Sequence, residues 1–155
     1  MSSVVVWRLV ADRHAATAFS GGGARKYGAR WSPLGVTVVY CSDSRSLAAL
    51  ELIVNALTGT KLVGAPWAVL SAKIPESLIE QPSRAPDNWR DHPHPRVTQD
   101  FGAKWVREQR TAVLRVPSVV VLGEFNYLLN PAHPDFAKIT LGQPAPFDFD
   151  TRFKR

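Results

Sequence analysis

Short runs of β-branched and aromatic residues outnumber stretches of helical periodicity in this chain, and that imbalance limits the fold more than any other feature. The runs are Val4 to Leu9, Val36 to Cys41, Ala68 to Ile74, Ala112 to Val116, Ser118 to Leu122 and Phe147 to Phe153. Each is bounded by turn-forming residues, as strands are. Helical periodicity is confined to Arg45 to Leu57, entered through Ser42, Asp43 and Ser44, and to Thr98 to Gln109, with a short turn from Glu76 to Glu80. A doubly wound parallel sheet needs a crossover helix between most successive strands. Two helices cannot supply them, so the expected class is α+β, a mixed β core with a few flanking helices.

The 155 residues suit one domain spanning residues 1–155, with Gln81 to Val97 as a long surface loop rich in proline. No apolar run is long enough to cross a membrane and no secretory leader is legible, so a cytoplasmic protein is expected. Cys41 is the single cysteine, flanked by strand residues. It reads as a buried inert thiol, unable to form an internal disulfide or a cysteine-rich metal site. No metal is expected. Nineteen Lys and Arg against thirteen Asp and Glu leave a charge of +6. Much of that excess falls in residues 1–42, where Arg8, Arg13, Arg25, Lys26 and Arg30 face only Asp12. An anionic partner follows, small if the charge belongs to a pocket and nucleic acid if it belongs to a surface. No basic recognition helix is visible, which ranks nucleic acid second.

The candidate chemistry is dispersed. Gly21-Gly22-Gly23 leads into Arg25, Lys26, Tyr27 and Arg30-Trp31, a glycine-rich segment with guanidinium forks suited to phosphate, or else a mobile surface loop. Arg8 lies within an apolar strand, where a charge faces solvent or meets an anion. Tyr40 ends a strand just before a helix cap. Glu51 borders the apolar stripe Leu47, Leu50, Val54 and Leu57, so its carboxylate needs a partner. Ser118 follows Pro117 without a nucleophile elbow around it, which makes it a hydroxyl donor rather than a nucleophile. Asn126, Asn130, Pro131, His133 and Asp135 read mainly as turn chemistry, and His92 and His94 lack further metal ligands.

The order of these motifs resembles the RES domain family. Trp7-Arg8, Ser20 to Ala24 leading to Tyr27-Gly28-Ala29-Arg30-Trp31, Val39-Tyr40 and Ala49-Leu50-Glu51 carry its first half. Val116-Pro117-Ser118, Asn126 to Pro134 and Phe147 to Arg152 carry its second. The resemblance implies an ADP-ribosyltransferase-like fold and a toxin of bacterial toxin–antitoxin pairs that degrades NAD by hydrolysis or phosphorolysis, with protein ADP-ribosylation as the alternative. NAD is then a substrate and inorganic phosphate a candidate co-substrate. The implied partner is an Xre-type helix-turn-helix antitoxin, in a homodimer or a toxin–antitoxin hetero-oligomer. The family's arginine, glutamate and serine would be Arg30 (or Arg8), Glu51 and Ser118. On this reading Arg30, Tyr40 and Glu51 are catalytic. Arg8, Gly23, Tyr27, Trp31, Ser118, Asn130 and His133 bind NAD.

Overall fold

The computed structural model describes residues 2–153. Eight strands form one mixed sheet: β1 (Ser3–Ala11), β2 (Val39–Ser42), β3 (Trp67–Pro75), β4 (Ile79–Glu80), β5 (Val113–Pro117), β6 (Phe125–Leu129), β7 (Thr140–Leu141) and β8 (Ala145–Phe147). Their spatial order is β4-β5-β6-β2-β1-β3-β7, with β8 pairing further along β3. Only β4 and β5 run parallel; the other pairings are antiparallel. Among the described residues three α-helices, α1 (Gly22–Tyr27), α2 (Arg45–Asn55) and α3 (Arg96–Glu108), and three short 3-10 turns complete the fold. The expected α+β class is what the chain adopts.

Alternation along the strands divides the core between two faces of the sheet. On one face α2 packs Ala48, Ala49, Leu52 and Ile53 over Leu9, Trp67 and Val69, while α3 packs Phe101 and Trp105 over Leu114, Val116 and Leu128. The fully buried Trp105 donates its indole N–H to the Thr111 hydroxyl at 2.9 Å, so burial of the ring leaves no orphan donor. On the other face, Val6, Ala72 and Ile74 from β1 and β3 meet Val113, Tyr127 and Leu129 from β5 and β6. Strands so far apart in the sheet touch only because the sheet curls over that inner face.

The curl is weakest between β1 and β2, which share the single register pair Trp7↔Ser42. Beyond it the strands diverge. The Arg8 guanidinium spans the gap on the inner face, donating to the carbonyls of Ala18 (2.6 Å) and Tyr40 (3.0 Å). On the opposite, helix-bearing face, α2 covers β1 and β3 while α3 covers β5 and β6, so the two helices lie over different strands.

Four expectations are corrected here. Ser118 to Leu122 is a turn rather than a strand, because the Ser118 hydroxyl accepts the N–H groups of Val120 and Val121 and closes the chain on itself. The strand is β6, which begins seven residues after Ser118. After Phe147 the closing aromatic alternation is irregular, with Phe149 buried edge-on against Trp67 and Phe147. The glycine segment is no loop: Gly22 and Gly23 open α1, and only Gly21 needs to be glycine, at φ 77° and with a Cβ position 2.6 Å from Thr37. Finally, of the stripe expected to be core on α2, only Leu47 is buried; Leu50, Val54 and Leu57 are exposed.

Candidate functional site

The site begins with α2. Ser44 accepts the Leu47 N–H at 3.0 Å and fixes where the helix starts. Leu47 anchors the first turn in the core, and one turn later Glu51 faces the sheet, half-buried, in the gap between the two helices. Its carboxylate meets two donors there. The Ser118 hydroxyl and the Asn126 side-chain N–H₂ both donate to Oε2, at 2.8 and 2.7 Å. Asn126 is itself held, its Oδ1 accepting from the Ser42 hydroxyl at 2.7 Å. Ser42 and Asn126 are register partners across β2 and β6, so the pleat aims both side chains at the helix-bearing face.

This chain of bonds explains how a carboxylate can sit beside core positions. Two donors converge on one oxygen and fix the carboxylate's orientation, leaving Oε1 to accept from something else. Such preorganisation favours charge that develops on a bound molecule. Ser118 acts here as a positioning donor: its proton is directed at Glu51 Oε2 and its oxygen accepts the N–H groups of Val120 and Val121, so both its lone pairs are already engaged.

Arg30 supplies the opposite charge. It lies in the turn after α1, where Ala29 and Ser32 pair, and its Nη1 donates to the carbonyls of Trp89 (2.8 Å) and Asp91 (2.7 Å) in the proline-rich segment. Burial draws the guanidinium below its ordinary value, and the charges of Glu51 and Asp91 pull it back. The remaining guanidinium N–H groups keep their capacity for an anion. The turn is braced from behind: Trp31 is 3% exposed, stacks on Trp89 and meets Phe101 edge-on. Gly102 of α3 lies against the Trp31 carbonyl so closely that no Cβ would fit. Gln99 donates to the Ala29 carbonyl at 3.1 Å.

The structure therefore gathers Glu51 and Ser118, sets Arg30 and Trp31 nearby, and separates the rest. Arg8 leaves β1 on the inner face beside Cys41, one residue out of phase with Trp7, and spends two nitrogens on backbone carbonyls. It bridges the strands through these two bonds. The Tyr40 hydroxyl bonds Ser32 at 2.8 Å, and burial raises its pKa far above the ordinary tyrosine value. Asn130 and His133 lie at the other end of β6 from Asn126. Asn130 is buried with its Oδ1 on the Ala132 N–H, and His133 caps the turn Pro134–Lys138 through the Asp135 N–H. Both side chains make the turn contacts that the residues alone suggested. Gly23 has open space around it, and Tyr27 stands exposed with the Lys26 ammonium over its ring. Cys41 is buried, its thiol pushed up to about 12 by desolvation. Among the described residues no three His, Cys, Asp or Glu side chains gather as metal ligands would, and no helix is long and apolar enough to cross a membrane.

Sequence reasoning missed Asn126, Ser42 and Gly102. Asn126 had a signal: it is the polar residue in Phe-Asn-Tyr-Leu-Leu, and a polar side chain on a covered strand face needs a partner.

Residues 5–150 match the family model described as RES domain. The chain is 37% identical over 96% of its length to a Sphingobium protein named Prs ADP-ribosylating toxin, of which it covers 96%. It is 36% identical, over 97% of this chain and all of the relative, to a Yersinia enterocolitica protein named Toxin Res. Among solved structures it resembles a chain of the Mycobacterium tuberculosis MbcT–MbcA toxin–antitoxin complex, with a TM-score of 0.68 at 17% identity, covering 95% of this chain and 85% of that one.

Proposed function

The chain belongs to the RES domain family, and from that membership we propose that it is the toxin of a toxin–antitoxin pair whose site cleaves the nicotinamide–ribose bond of NAD. The observation that carries the reading is the Glu51 carboxylate, oriented through Oε2 by Ser118 and Asn126, with the Arg30 charge near enough for the two to influence each other.

In the proposed step the C–N bond breaks and its electron pair leaves with nicotinamide. The ribose is left with oxocarbenium character. Glu51 accepts a hydrogen bond from a ribose hydroxyl through Oε1 and stabilises the positive charge as it grows. Arg30 offers its uncommitted N–H groups to the pyrophosphate, as an arginine fork does. Water captures the cation in hydrolysis, giving ADP-ribose and a proton; inorganic phosphate captures it in phosphorolysis. Tyr40 and Trp31 shape the wall behind Arg30, and Tyr27 is the one expected ring with a free face to stack.

Transfer of ADP-ribose to a protein is the second reading, favoured by the name of the Sphingobium relative. The partner is an antitoxin, in keeping with the complex that the structural neighbour comes from. An Xre-type helix-turn-helix protein is the form proposed. The exposed Leu50 and Val54 border Glu51 on α2, with Leu57 just past the helix end, and offer such a partner an apolar seat over the site. A cytoplasmic location follows, because NAD and the antitoxin would be met there.

Incubation of the purified chain with NAD labelled in the adenylate half, with and without phosphate, separates these outcomes by product mass. Free ADP-ribose indicates hydrolysis, its 1-phosphate phosphorolysis, and label on a macromolecule transfer. Intact NAD in every arm would refute the reading.

A further inference from the structure

Beside the site, a cavity of about 300 Å3 opens between the proline-rich segment and the edge of β5. It exists because β4 pairs only with Val113 and Leu114, leaving Arg115 to Pro117 without a neighbouring strand on that side. Residues 81–85 pass over the space instead of filling it. Three of the lining residues adjoin site residues in sequence. Trp31 follows Arg30, Pro117 precedes Ser118, and Phe125 precedes Asn126. With adjacent Cα atoms about 3.8 Å apart, the cavity lies on the order of 10 Å from the Glu51 carboxylate, within the span of one dinucleotide.

The lining suits a flat, charged ligand. Phe101 contributes a half-buried ring to one wall, backed edge-on by Trp31, which is itself buried beneath Trp89. Phe125 forms another, with the Arg115 guanidinium lying 3.4 Å over its ring and bonded to Gln81. With Trp31 buried and the Arg115 guanidinium laid over Phe125, the surfaces left for a heterocyclic base to stack on are the Phe101 ring and the planar guanidinium. Among the described residues, the Arg115 Nε is the one buried side-chain nitrogen or oxygen without a hydrogen-bond partner. Buried donors are rarely left so, and an acceptor brought by a ligand would answer it. Arg115 adds positive charge for a phosphate, and Arg84, ion-paired with Asp87 at the exposed rim, stands beside it.

We propose that this cavity receives the adenine nucleotide end of the dinucleotide whose nicotinamide end lies at Glu51. The assignment rests on the NAD reading, and it makes the proline-rich segment part of the substrate site.

The test measures AMP binding by calorimetry on the whole chain and on two variants, Ser83→Trp and Arg115→Gln, with NAD cleavage and thermal melting followed on the same preparations. Ser83 is exposed on the rim, so an indole there fills the cavity without entering the core. The expected result is AMP binding by the native chain, weakened at least about tenfold in each variant. KM for NAD should rise by a similar factor with kcat held within about twofold, the pattern of lost ground-state binding. If Arg115→Gln melts early, Ser83→Trp alone decides. AMP binding that is absent from the native chain, or unchanged in Ser83→Trp, would overturn the assignment. AMP binding lost in Ser83→Trp by a chain that leaves NAD intact would keep the cavity and sink the NAD reading. NAD cleavage with an unaltered KM in Ser83→Trp would do the reverse.

Discussion

Replacing Asn126 with alanine removes the shortest bond to Glu51 and leaves the carboxylate itself in place. The side-chain N–H lost is 2.7 Å from Oε2, and the Ser42 hydroxyl loses its acceptor in the same stroke. A hydrogen bond to a charged group contributes about 1.5–3 kcal/mol. At about 1.4 kcal/mol per decade of rate, turnover should fall between about 10-fold and 150-fold. Ser118 still holds Oε2 at 2.8 Å, so activity is reduced and not abolished. The loss should appear in kcat, because the bond orients the reacting carboxylate and does not touch the rest of the substrate. Nicotinamide release, separated chromatographically and identified by mass, measures it, with melting curves to verify the fold. Asn126→Asp sharpens the reasoning. A second carboxylate at hydrogen-bond distance repels the Glu51 charge and donates nothing to it, so activity should be lower still at neutral pH, where both are ionised, and recover in part on acidification, when the introduced side chain is protonated and again donates. An Asn126→Ala enzyme with more than about a third of native turnover would show that Glu51 does not depend on this bond.

Gly102→Ala places a methyl group where the Trp31 carbonyl lies, and overpacking of this kind costs about 1–3 kcal/mol; a lowered melting temperature checks it, together with weaker binding through the displaced Arg30 turn. Arg8→Met leaves the Ala18 and Tyr40 carbonyls without their donor, at about 1–3 kcal/mol for each unsatisfied group, so denaturant midpoints should drop while KM for NAD at low temperature stays near the native value. The pH dependence of the proline-rich segment follows from His94, whose folded-state value burial, Arg30 and His92 all depress below 6.5. The folded segment thus favours the neutral ring. Its contribution to stability is intact above 6.5 and is lost as the pH falls from there toward the depressed value, which protease sensitivity of residues 82–95 between pH 7.5 and 5 should report, and His94→Asn should flatten.

Local patterns carried the elements whose residues interact with near neighbours. β1, α2 and α3 follow from a β-branched run, a serine cap and a Phe101–Trp105 face, and each lies within two or three residues of its expected place. What failed was longer in range. Val119 to Leu122 looks like a strand because it is apolar, yet one hydroxyl at Ser118 folds it into a turn beside Glu51, 67 positions away in sequence. The leucine stripe on α2 is regular and still faces outward, because Ala48 and Ala49 let the helix approach β1 and β3 closely on another side. Arg8 was readable in principle: Val6 and Val10, two residues on either side, are buried on the inner face, and a strand's period of two puts Arg8 there too. The Arg30 contact with Trp89 and Asp91 was not readable, since backbone carbonyls accept hydrogen bonds regardless of the side chain they carry. Glu51 and Ser118 were legible as a pair through the family's motif order, whereas Asn126, which binds the same oxygen, was hidden among turn-forming neighbours.

The NAD reading stands or falls with Glu51. Purified native chain and Glu51→Gln, matched in melting temperature, should be incubated with NAD in phosphate buffer and the released nicotinamide followed over time. The arrangement of Ser118, Asn126 and Arg30 around one carboxylate predicts steady release by the native chain and a loss of at least about a thousandfold in the variant, the scale expected when preorganised charge is removed from a reacting centre. Equal release by the two proteins would contradict it.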